Sequence, residues 1–308
     1  MKIELLRSLL LCAVLAPPCL SAAEQAEFSF GVISHPFTSA ADDAVLRDVI
    51  EETDADNLAF VVANGVKAAD EPCTDKLYAR RKSLLHGAKN GLVVSLAASD
   101  WVECKNENGK STAIGKLNHL RDLFFGDEFS IGATKIPVVR QSSTAKFRSF
   151  SENARWEIGD IMFATINLPG NNNHYVTDAG RNGEFEDRLV ANRDWLHRIF
   201  TQATLKKLNG IVLFCDGNPL FHSASGHKRD GYAEIRRQII SLTAKFPRKV
   251  LLIYSQTTKH LPSNGINWQD NLGQLNAGSG WVKLTVSLSH PVLFSVTGEP
   301  AQARNSHQ

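Results

Sequence analysis

Phe28-Ser29-Phe30-Gly31-Val32-Ile33, Leu58-Ala59-Phe60-Val61-Val62 and Leu92-Val93-Val94-Ser95-Leu96 are three short apolar runs separated by stretches with helical spacing. The first alternates and then turns continuously apolar, as a strand entering a core does, and it stops at Ser34-His35-Pro36. Before the second run, Val45, Leu46, Val49 and Ile50 stripe one side of residues 41–53, and Asn64-Gly65 ends the run itself. Before the third, Leu77, Tyr78, Leu84 and Leu85 share a side of 75–89, which Asn90-Gly91 closes. The order βαβαβ predicts a layered α/β fold with parallel strands. Right-handed crossovers then bring the strand ends and their loops to one edge.

Working outward, Leu117, Leu120 and Phe124 predict an amphipathic helix over 114–125. Short β-like pieces fill 147–168, including Ile161-Met162-Phe163-Ala164-Thr165-Ile166. The longest helix is expected over 183–207, with Phe185, Leu189, Leu196, Ile199, Phe200 and Ala203 inward. A strand (211–215), a helix (232–246), a strand (250–255) and two terminal strands (281–288 and 292–296) follow. The polar residues 297–308 are expected to be a disordered tail, and 24–296 one domain without repeats.

The N-terminus carries Lys2 and Arg7, an apolar run from Ser8 to Leu20 broken by Pro17-Pro18, and then Ser21-Ala22-Ala23. This is the pattern of a cleavable signal peptide over 1–23, too short to span a bilayer, and it predicts a periplasmic or secreted protein. No later stretch is apolar and long enough to cross a membrane. Losing Lys2, Arg7 and Glu4 takes the formal charge from +2 to +1. Such a chain has no global field for nucleic acid, and its basic stretches lack interleaved aromatics. Of five cysteines, Cys73, Cys104 and Cys215 remain after cleavage. Cys73 and Cys104 lie in polar, loop-like contexts and are expected to pair in an oxidising compartment, whereas Cys215 ends an apolar strand and is expected to be free.

The segments Leu58-Ala-Phe-Val-Val-x-x-Gly65, Pro72-Cys-x-Asp75, Ser99-Asp-Trp-x-Glu-Cys104, Leu117-x-x-Leu-Arg-x-x-Phe-Phe125, Arg140-Gln141, Glu152-Asn-x-Arg-Trp156 and Asn171-Asn-Asn173, in this order, resemble an exported branch of the calcineurin-like metallophosphoesterases. The resemblance spans about Phe28 to Phe294. It implies a four-layer α/β sandwich, two central mixed sheets flanked by helices. It also implies a pair of divalent ions at the strand ends that polarise a phosphate ester and deliver hydroxide.

The expected ligands are largely replaced. Where the family has Gly-Asp after the first strand, this chain has Ser34-His35; after the second, Gly65-Val66; after the third, where Gly-Asn-His or Gly-Asp-Asn-Glu is expected, Ala97-Ala98-Ser99-Asp100. The late Gly-His-x-His or Gly-Asp-x-His is replaced by Ser255-Gln256-Thr257-Thr258, with His260 two residues further on. Two adjacent dications repel, and bridging carboxylates offset that repulsion; Val66 cannot bridge. The candidate cleft residues are therefore His35, Asn64, Ser99, Asp100, Asn172, His174, Asp216, Asn218 and His260, and the weak metal candidates are His35, Asp100, His174 and His260.

Each has a plainer role as well. Asp100 suits a turn cap beside the disulfide, Asp216 a bond to loop amides, and Asn171-Asn172-Asn173-His174 a left-handed backbone. His222 and His227, in a Ser/Gly-rich loop, suit solvated positions, and the basic stretch from Arg140 to Arg155 suits either an anion-binding or a solvated face. The phosphate loop, Gly-x-Ser-x-Gly elbow and zinc-type cysteine cluster have no counterpart in the sequence. The chain therefore reads as a non-catalytic or strongly attenuated phosphoesterase-like protein that binds an unidentified ligand or envelope partner. The alternative is an active metal-dependent phosphoesterase with a shell rearranged around His35, Asn64, Asp100, His174 and His260, and only that alternative requires a divalent metal.

Overall fold

The computed structural model describes residues 27–35, 43–176, 180, 182–221, 229–255, 265–289 and 291–297. The signal-peptide assignment, His222, His227, His260 and the tail beyond Thr297 lie outside these residues. In chain order the elements are β1 (Glu27–Ser34), α1 (Asp43–Asp54), β2 (Val61–Asn64), α2 (Asp75–His86), β3 (Leu92–Ser95), α3 (Ala98–Trp101), α4 (Ala113–Phe124), β4 (Val139–Arg140), β5 (Ala154–Ile158), β6 (Ile161–Thr165), α5 (Gly170–Asn173), α6 (Gly183–Leu205), β7 (Gly210–Phe214), α7 (Ala233–Lys245), β8 (Lys249–Tyr254), β9 (Asn267–Gln269), β10 (Leu272–Asn276), β11 (Gly280–Ser287) and β12 (Phe294–Thr297).

Among the described residues, twelve strands form two mixed sheets, in the orders β12-β11-β1-β2-β3 and β4-β5-β6-β7-β8-β10-β9. The strand period of two explains why the sheets stack. Phe30 and Val32, Phe60 and Val62, and Val93 point inward from the first sheet; Ile161 and Phe163, Val212 and Phe214, and Leu251 and Ile253 meet them from the second. Their neighbours point the other way. Ile33, Val61, Ala63, Leu92 and Val94 pack under α1, α2 and α4, while Met162, Ala164, Ile211, Leu213, Val250 and Leu252 pack under α6 and α7. Three apolar layers thus separate four layers of secondary structure, which is the sandwich expected from the sequence. The middle layer is held by aromatic contacts: Phe30 stacks on Phe60 at 5.0 Å, and Phe60 meets Phe163 edge-on at 4.7 Å.

The strands β1, β2 and β3 run parallel, as do β6, β7 and β8. In both sheets the run of parallel strands brings several C-terminal tips to a shared edge, and these tips carry the loops singled out from the sequence. Cys73 and Cys104 are disulfide-bonded, with Cα atoms 5.7 Å apart, and Cys215 is free and buried. Among the described residues no helix is long and apolar enough to cross a membrane. Two predicted boundaries move. The second strand is regular only from Val61, although Ala59 already donates to the Ser29 carbonyl at 2.8 Å. β12 includes Thr297, whose hydroxyl meets that of Thr285 at 2.8 Å, so the order of the chain extends one residue into the expected tail.

Candidate functional site at the strand tips

Where the tips of the two sheets meet, two buried carboxylates gather backbone amides from three loops and the imidazole of His35 from a fourth. Asp216, just past β7, accepts from the amides of Ala98 at 2.8 Å and Gly170 at 2.7 Å through Oδ2, and its Oδ1 lies 3.0 Å from His35 Nε2. Asp100, in α3, accepts from Val66 and Lys67 at 2.9 and 3.2 Å through Oδ1, and from Ala97 at 2.8 Å through Oδ2. All four carboxylate oxygens are therefore engaged by N–H groups. The local sequence makes this possible. Gly65 takes φ +87, turning the following amides toward Asp100, and a β-carbon there would sit 3.1 Å from that of Ala97. Gly170 lets the chain pass over Asp216, since a β-carbon would lie 3.2 Å from Oδ2.

Burial pushes the Asp100 carboxyl up to about 6, against the pull of the Val66 and Ala97 amides and the charge of Lys67. Lys67 is itself buried, and burial lowers its pKa although Asp100 and Glu71 oppose the shift; its Nζ donates to the Ala68 carbonyl at 2.5 Å. For His35, burial disfavours the imidazolium. The Asp216 hydrogen bond and charge, the charge of Asp100 and the Ser255 carbonyl outweigh it, and the pKa rises above its ordinary value. With Asp216 on one side and the Ser255 carbonyl on the other, the ring lies between two acceptors that favour its protonated form. Asn64 donates through Nδ2 to the Cys215 carbonyl at 3.2 Å. Among the described residues, Asn64 Oδ1 and Ser255 Oγ are buried without hydrogen-bond partners.

The other candidates serve elsewhere. Ser99 donates to the Lys67 carbonyl at 3.2 Å. Asn218 caps its own turn, accepting from the Leu220 amide at 2.9 Å. Asn172 ties down the segment before α7, donating to the Arg229 carbonyl at 2.9 Å and accepting from the Gly231 amide at 2.8 Å. His174 Nδ1 lies 3.0 Å from Glu184 Oε2, and its ring meets Trp101 edge-on at 4.9 Å. It is bound into a network that sequence reading did not find: Arg188, fully buried, donates to Glu184 and to the side chain and carbonyl of Asn173. Burial opposes the charge on Glu184, but Arg188 and His174 hold its pKa down at about 2. The i,i+4 spacing of Glu184 and Arg188 was the available signal. Asn171, Asn172, Asn173 and His174 all have φ between 53 and 56°, four successive residues in the left-handed region. Side chains other than glycine rarely sustain this, and the Arg188 and Gly231 contacts hold the turn in place.

These donors do not fit a pair of divalent ions. Each carboxylate oxygen already accepts an N–H, the His35 imidazole is engaged by Asp216 and the Ser255 carbonyl, and the oxygens left over on Asn64 and Ser255 are neutral. Among the described residues no three His, Cys, Asp or Glu side chains group to hold a metal.

No family model matches the chain, and no curated protein matches it either. Among solved structures it is similar to the crystal structure of TT1561 of Thermus thermophilus, at 9% identity over 84% of this chain and 94% of that one, with a TM-score of 0.43. The two-sheet architecture rests on the chain's own strand order and packing.

Proposed function

We propose that this chain is an exported protein with a metallophosphoesterase-like sandwich that does not hydrolyse phosphate esters by the two-metal route and acts instead by binding. The observation that carries this reading is the use of all four oxygens of Asp100 and Asp216 by N–H donors. In a di-metal centre such oxygens face the cations. Here the tips are cross-linked by amides, and His35 lies 3.0 Å from Asp216, whose hydrogen bond and charge favour its protonated form. Export follows from the N-terminal pattern and agrees with the disulfide.

The test is elemental analysis of protein purified without chelator, together with an assay on a generic aryl phosphate and a phosphodiester in added Mn²⁺ or Zn²⁺. Less than one metal per chain and no chelator-sensitive hydrolysis are expected. Two tightly held ions with hydrolysis that a chelator abolishes would overturn the reading. N-terminal sequencing of exported material should begin near residue 24.

One observation favours the alternative: the unpartnered Asn64 Oδ1 and Ser255 Oγ flank the Cys215–Asp216 segment. A single metal held there would appear as one equivalent lost on Asn64→Ala.

A further inference from the structure

The parity of β5 turns one basic side chain away from the core. Ala154 and Trp156 face the layer between the sheets, so Arg155 faces the other side, next to α6. There it lines a recess of about 220 Å³ with Thr144 and, from successive turns of α6, His197, Arg198, Thr201 and Gln202. Its side chain is 18% exposed, and its nearest carboxylate, Glu157, lies 4.0 Å away. That carboxylate is already taken, because Lys206 Nζ donates to both its oxygens at 2.8 and 2.7 Å. Arg198 is held at the rim by Asp194 at 2.6 Å and by the Thr144 hydroxyl at 2.9 Å, which fixes a second guanidinium beside the first. Burial lowers the pKa of Arg155, and the neighbouring charge of Arg198 lowers it further while Glu157 opposes. Two like charges are thus held together, with hydroxyl and amide donors around them and, among the described residues, no carboxylate in direct contact with the deeper one.

The geometry points to a binding site for a small oxyanion of the phosphate or sulfate type, free or as the head of a small monoester, between Arg155 and Arg198. The Arg155 fork, the N–H groups of Arg198 that Asp194 and Thr144 do not use, and the hydroxyls at the side present more donors than the two oxygens of a carboxylate can use, and they match a tetrahedral anion. The site lies on the flank of the second sheet, among residues distinct from the strand-tip cluster, and does not depend on how that cluster is read.

Isothermal titration of the full mature chain with inorganic phosphate, sulfate and acetate tests it, at low salt and again at about 0.5 M NaCl, where surface charge is strongly screened. Phosphate and sulfate should bind with one site per chain, more tightly than acetate, and more weakly at high salt. Arg155→Met keeps the aliphatic stem and should weaken phosphate by about tenfold or more, the scale of a lost charge-assisted hydrogen bond. Thr201→Glu, at an exposed rim position, leaves the interior untouched and should abolish binding by repulsion. Absence of phosphate binding at millimolar concentration, or binding that both variants leave unchanged, overturns the proposal. Acetate binding as tightly as phosphate overturns the tetrahedral assignment.

Discussion

The strand-tip cluster and the Arg155 recess are both buried or half-buried polar groups in one sandwich, and they differ in how they are satisfied. At the tips, Asp216 meets three N–H donors and Asp100 meets three more. On the flank, the Arg155 side chain is 18% exposed and, among the described residues, has no carboxylate closer than 4.0 Å, while the Arg198 guanidinium lines the same recess. A cluster whose hydrogen bonds close on themselves holds a fold together. One that leaves a charge open is where a ligand gains by arriving. Residue type alone would have ranked the two in the opposite order, since His and Asp at strand tips look catalytic and a lone Arg on a strand does not.

The sharpest way to break this comparison is Asp216→Ala. It strands the Ala98 and Gly170 amides and leaves His35 without its counter-charge, so urea unfolding should report a loss of about 3–5 kcal/mol. A loss below about 1 kcal/mol, the scale of one ordinary hydrogen bond, would mean that the tips are not held together by this carboxylate. Next is the left-handed turn beside them. Asn171 is exposed with φ 54°, so Asn171→Val tests the backbone alone and should cost about 1–2 kcal/mol, while Asn171→Gly should be neutral or better.

The pH dependence sharpens the same contrast. His35 has its folded pKa raised above 6.5, so its contribution is complete below 6.5 and fades as the pH rises through the folded value. Asp100, raised from 3.8 to about 6, holds its proton longer in the folded state and also makes stability fall as the pH rises, over that lower interval. The difference in urea midpoint between wild type and His35→Gln should therefore shrink above pH 6.5. A difference that grows toward alkaline pH would contradict the ion pair. The smallest effect belongs to the flank: Arg155→Met should change stability by no more than about 0.5 kcal/mol in the absence of anions, since it removes an open charge and keeps the stem.

Much of the sandwich was legible because its central strands are buried on both faces. Ile211 to Phe214 and Val250 to Ile253 read as strands without knowledge of their partners. β10 was not legible: its two leucines, Leu272 and Leu275, are an odd number of residues apart and serve opposite faces, with Gly273 pressed against Trp268 between them. Its strand character comes from pairing with β8. At the tips, Asp100 caps its turn through the Ala97 amide and the Asn-rich loop is left-handed as its composition allows, whereas Asp216 bonds the amides of Ala98 and Gly170, and the amide of Gly217 in its own loop goes to the Leu168 carbonyl. The amides they hold could not be foreseen, because residues 66, 98 and 170 are hydrogen-bonded to carboxylates up to 118 positions away. The recess was harder still. Thr144, Arg155 and Arg198 form no motif, and only the direction of β5 relative to α6 brings them together.

β1 occupies the middle of its sheet, and one of its two neighbours, β11, is paired to it along its whole length, from Glu27 opposite Ser287 to Ser34 opposite Gly280. Until residues 280–287 are available, β1 has an open row of amides and carbonyls. The sheet's assembly is thus deferred to a contact between segments about 250 residues apart in sequence, a long-range pairing of the kind that slows folding. Chains cut before Gly280 would carry that raw edge permanently and should self-associate.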